Sequence, residues 1–167
     1  MLFIDSFYVL ELKEPVLGAY AISAFWLFMS VSRLIFSKVR LDTRRTLIYA
    51  ISISAALVGL IAAFGNAQLT LILYALTGAA AGPIYPILAG LMLGSSLGDT
   101  GTVSSVLATS ASLGSAIGPS LMGIVSGLFG LRSGFLVLSA LAFSASAATF
   151  LSFKKAQQKP ASAKGIS

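Results

Sequence analysis

The sequence predicts an all-α membrane protein with five complete transmembrane helices and a partial helix before them. Three observations carry this. Five segments, roughly 16–37, 46–64, 69–92, 103–128 and 133–153, hold almost no charge, and Arg33 is the one ionised side chain inside them. Each is near or above the ~20 residues that a helix needs to cross a bilayer's hydrocarbon core. If the five zigzag, Lys38, Arg40, Arg44, Arg45, Lys154, Lys155, Lys159 and Lys164 fall on one side, and only Lys13 and Arg132 on the other. That bias keeps a basic face in the cytoplasm. Hydrophobic residues make up 57% of the chain and charged residues 10%, against ~25% charged in a soluble domain.

Along the chain, residues 1–10 are apolar but too short to span, and read as the end of an earlier helix or as an interfacial segment. Glu11 to Pro15 form a charged outer connection. The first span carries Trp26 near its middle and runs inward to the basic loop 38–45. The second starts at Thr46 and returns to Phe64, where Gly65-Asn66 signals a tight turn. The third contains Gly78, Gly82, Pro83 and Pro86 and runs inward to a polar loop, 94–101. The fourth is rich in Ser and Gly and contains Gly118-Pro119; Gly130 to Ser133 turn it into the fifth. Residues 154–167 read as a polar, disordered cytoplasmic tail.

Gly114 and Gly118 are four apart, so they share a helix face and would let a neighbouring backbone approach closely, as packing or as a face that rocks. Pro83, Pro86 and Pro119 each remove a backbone donor, and the carbonyls so freed must find neighbours or water. The segment 78–86 therefore reads as a deformable helix beside a pathway. Arg33, about one turn from the end of its span, either snorkels to the interface or pairs with a neighbouring helix end as a cytoplasmic latch. Tyr74 suits an interfacial belt. Tyr85 lies deeper, where a hydroxyl needs a partner. Ser112 and Ser115 lie near mid-depth and are candidate solute contacts, although such serines commonly bond back to their own helix.

Several function classes are excluded by residue type. The chain has no Cys and no His, which removes disulfides, thiolate metal sites and the commonest general base. No nucleophile–base set, carboxylate pair within a span or phosphate loop is visible, so neither an enzyme nor a metal or cofactor site is expected. The net charge of +6 is explained by topology and anionic headgroups without a nucleic-acid partner.

At these residues the chain resembles the major facilitator superfamily. The run ASLGSAIGPSLMGIVSGLFGLRSGFLVL (111–138) is similar to the family's eleventh helix, with its G-x-x-x-G-P-x-x-x-G pattern and FG-x-R turn. The run FWLFMSVSRLIFSKVRLDTRR (25–45) is similar to the eighth helix and its basic loop; Arg33 matches the family arginine and Ser32 stands where glycine is usual. LTGAAAGPIYP (76–86) resembles the tenth helix of sugar-transporter-like members, with Tyr85-Pro86 as the aromatic–proline pair. The resemblance implies a C-terminal half whose partner is an N-terminal six-helix half, and secondary transport of a small-molecule substrate by alternating access across a lipid bilayer. On that reading the first, third and fourth spans and the partial helix line the cavity, and the second and fifth face lipid. Pathway residues would be Trp26, Tyr74, Tyr85, Ser112 and Ser115. Arg33, Gly114, Gly118 and Pro119 would gate or pack. The alternative is a non-transporting membrane fragment or interaction partner.

Overall fold

The structure, a computed structural model, describes residues 2–38, 42–95 and 100–158. Its elements are α1 (Leu2–Leu10), α2 (Pro15–Lys38), α3 (Thr43–Ala63), α4 (Ala67–Ala81), α5 (Ile84–Ser95), α6 (Thr100–Phe129) and α7 (Leu131–Gln158). No strand occurs among the described residues. With α4 and α5 counted together, five helical stretches are long and apolar enough to cross a membrane.

Local chemistry explains the boundaries. Pro15 opens α2 at the position where a missing N–H costs nothing. Asp42 caps α3 by accepting from the Arg44 N–H, and it also pairs with Arg45 at 3.2 Å. This cap starts the helix at Thr43, so Arg44 and Arg45, expected in a loop, form its first turn. Asn66 caps α4 by accepting from the Gln68 and Leu69 N–H groups. Gly130 ends α6 with φ +87°, a conformation that favours glycine. Lys154–Gln158, expected in the tail, continue α7; the rest of the tail, and parts of the 38–45 and 94–101 loops, lie outside the described residues.

Helices α2 and α3 both pack on α4. Helix α3 also packs on α7, α6 on α7, and α1 on α2. The buried core gathers Ile4, Phe7 and Tyr8 of α1 with Ile61, Leu73 and Phe135. Phe7 and Phe135 meet edge to face at 5.3 Å, and the Tyr8 hydroxyl donates to the Ala67 carbonyl at 2.8 Å. Helix α1 is thus a packed member of the bundle, not an interfacial appendage. The α3–α7 seam uses small polar residues. Ser52 and Ser146 share a hydrogen bond at 2.7 Å, and Ser139 donates to the Ala55 carbonyl at 2.7 Å.

Candidate functional site

The third span breaks at Gly82-Pro83, between α4 and α5, yet its backbone stays close to helical. The Gly82 N–H donates to the Gly78 carbonyl at 3.0 Å, and the Ile87 N–H to the Pro83 carbonyl at 3.1 Å. In such a path each N–H serves the carbonyl four residues earlier. Pro83 therefore frees the Ala79 carbonyl, and Pro86 frees the Gly82 carbonyl. Both are answered by adjacent residues of α2. The Ser32 hydroxyl donates to Ala79 O at 2.6 Å, and Arg33 Nε donates to Gly82 O at 3.2 Å. Arg33 thus places one donor, Nε, on the helix break while the residue itself stays exposed. A cavity of about 460 Å³ lies against this contact, bordered by Arg33, Pro83, Pro86 and Gly90.

Close approach makes the pairing possible. A Cβ on Gly78 would strike the Phe25 carbonyl, and one on Gly82 would sit 2.8 Å from Met29 O. The spacing Gly78-x-x-x-Gly82 is thus the true backbone-contact ladder of the chain. Phe25, beside it, stacks on Tyr74 with ring centroids 4.9 Å apart.

The other ladder, Gly114 and Gly118 on α6, expected to pack or to rock, has no neighbour against it among the described residues. A Cβ at either would meet nothing within 4 Å. Met122 is the one buried residue of α6. The reason is geometric: α6 rests mainly on α7, with a lesser contact to α5, and one close approach to α7 lies near its end, where a Cβ on Gly134 would strike the Ser126 hydroxyl. Gly114, Gly118 and Pro119 instead border a cavity of about 260 Å³, with Tyr74, Phe3 and Ile4 across it. Four α6 serines bond to their own helix, among them Ser115, which donates to Ser112 O at 2.8 Å, and Ser104, to Thr100 O at 2.9 Å, with Ser105 and Ser120 alike; the buried Ser126 hydroxyl has no hydrogen-bond partner.

The structure thus brings Tyr74, Gly114, Gly118 and Pro119 around one cavity. It leaves Trp26, Tyr85, Ser112 and Ser115 on surfaces that this chain does not cover, Trp26 and Tyr85 each about half exposed. Ser32 and Gly78 carry roles that reading the sequence missed. Counting back four residues from each proline would have named the carbonyls needing donors, but not the helix supplying them. At the opposite end of the bundle from the 38–45 loop, Arg132 reaches Glu11 at 3.6 Å and lies beside Gly65, so Glu11 is ion-paired.

With this geometry in hand, comparison with protein families finds a match to the Major Facilitator Superfamily over residues 4–166. The chain belongs to that superfamily. It is an integral membrane protein of a family of secondary transporters, and its five long apolar helices are of the length and composition to span a membrane. Searches of curated proteins and of solved structures find no match.

Proposed function

We propose that the chain is the C-terminal half of a secondary transporter, moving a small solute by alternating access against an N-terminal six-helix half. One observation carries this reading. Helix α6 is 30 residues long with a single buried residue, and its uncovered surface holds Ser112, Gly114 and Ser115 rather than an unbroken apolar face. A purely lipid-facing helix has no need of such residues, whereas a cavity wall facing a second half does. Tyr74, Tyr85 and Trp26 extend that wall, and the α4–α5 break with its Ser32–Arg33 latch supplies a point of bending. Tyr85-Pro86 favours the sugar-transporter-like members as relatives. The basic bias supports a cytoplasmic 38–45 loop and tail in the plasma membrane.

Cysteine accessibility tests the reading, because the chain has no native Cys. Ser115→Cys and Tyr85→Cys should react with a small hydrophilic thiol reagent when the chain is joined to a six-helix half, and a transported solute should slow the reaction. Ala147→Cys, on the exposed side of α7, should stay inert. If positions 85 and 115 are as inert as 147, the pathway is wrong and a non-transporting membrane partner becomes the better reading.

A further inference from the structure

Helices α2 and α3 diverge above α4 and leave an apolar groove between them. Near the 38–45 loop it holds about 410 Å³, lined by Phe36, Tyr49, Ile53, Ala79 and Ala80. It runs on, sharing Phe36, Ile53, Ala79 and Ala80, into a stretch of about 560 Å³ reaching Leu57 and Leu76. A second cavity of about 360 Å³ lies on the other side of α3, along Ile48, Phe150 and Phe153. Asp42 and Arg45 border both. The second cavity is also bordered by Arg44 and Lys154, so three cations and one carboxylate stand at this end of α3. Arg45 and Asp42 pair at 3.2 Å while staying mostly exposed, and Arg44 lies over the Phe153 ring at 5.2 Å.

We propose that this is a binding site for an anionic glycerophospholipid. Its phosphate sits among Arg44, Arg45 and Lys154; one acyl chain fills the α2–α3 groove and the other lies along Ile48, Phe150 and Phe153. Two features of the molecule select this occupant. This end of α3 has a net positive charge that a zwitterionic headgroup does not match, and each basic side chain near a bilayer surface favours an anionic lipid. The groove also has one leaflet's depth. Arg45 to Leu57 rises about 18 Å along α3 at ~1.5 Å per residue, beside ~15 Å for half the hydrocarbon core. An apolar trough opening sideways into a bilayer fills with hydrocarbon, since no water is there to fill it.

The test uses the chain reconstituted in phosphatidylcholine vesicles containing phosphatidylglycerol, with one or the other lipid carrying brominated acyl chains that quench tryptophan. Trp26 is the sole tryptophan and borders neither groove, so in the parent chain it should respond to both lipids equally. A Trp26→Phe, Tyr49→Trp chain moves the reporter into the groove. There brominated phosphatidylglycerol should bind about fivefold or more above phosphatidylcholine, the effect expected of a single basic contact or more. The preference should shrink in ~1 M salt, where surface charge is screened. Adding Arg44→Gln and Arg45→Gln should bring it to near parity, with helicity by circular dichroism confirming the fold. Ala80→Phe should reduce quenching by both lipids. Equal quenching by the two lipids at position 49, a preference untouched by salt and by the arginine changes, or no quenching at all because protein covers the groove, would each overturn the proposal.

Discussion

The third and fourth spans carry nearly the same residues and use them in opposite ways. Each has glycines four apart followed by Gly-Pro: Gly78, Gly82-Pro83 in one, and Gly114, Gly118-Pro119 in the other. In the third span both glycines lie against the backbone of α2, and both proline-freed carbonyls receive donors from Ser32 and Arg33. In the fourth, the glycines face open space and border a cavity. A small-residue ladder is therefore permission for close approach, and only the rest of the fold decides whether a partner takes it up. On the third span the partner is α2. On the fourth, under the proposed function, it is a second half and the solute between them.

The sharpest way to break this contrast is to fill both ladders. Gly78→Leu should destabilise the chain by about 3 kcal/mol, the upper end of overpacking costs, and lower its melting temperature in detergent. Gly118→Leu should cost less than ~1 kcal/mol, because its side chain enters a cavity. Equal losses would mean that the two faces are packed alike. Removing the donors comes next. Arg33→Leu and Ser32→Ala each leave a part-buried carbonyl unanswered, at about 1–2 kcal/mol, and both should show in the same melting assay. A smaller effect is expected at the α3–α7 seam, where Ser52→Ala breaks one interhelical hydrogen bond. Such bonds average ~0.6 kcal/mol in membranes, so a loss above 2 kcal/mol would point to a network there. The smallest change should come from Gly118→Ala. With open space at the Cβ and a helical backbone, it should be neutral or stabilise by up to ~1 kcal/mol; clear destabilisation would put a neighbour against that face.

Much of the fold was legible because the bilayer imposes it. Apolar length gave the five helices, and Gly65-Asn66 and Gly130 marked turns that the structure shows as an Asn66 cap and a positive-φ glycine. What escaped was pairwise. No periodicity says that α2 lies on α4 rather than beside α3, so the residues alone leave open which ladder, Gly78-x-x-x-Gly82 or Gly114-x-x-x-Gly118, meets a neighbouring backbone. Arg33 is ambiguous for the same reason: an arginine near a helix end can serve the interface or a neighbour, and the place of Gly82 O beside its Nε is not legible in the sequence. Helix α3 starts at Thr43, ahead of the expected Thr46, because Asp42 caps it, a local signal that apolar length does not carry.

A double-mutant cycle on Arg33 and Pro86 tests most directly the claim that α2 answers what the prolines remove. Pro86→Ala restores an N–H four residues after Gly82, giving that carbonyl an intrahelical partner. Arg33→Leu should then cost much less in the Pro86→Ala chain than in the parent, with a coupling of about 0.5–1.5 kcal/mol read from unfolding in detergent. Ser32→Ala, whose carbonyl is freed by Pro83 instead, should cost the same in both. If Arg33→Leu costs the same with and without Pro86, the arginine is not holding the break and the contrast between the two spans fails.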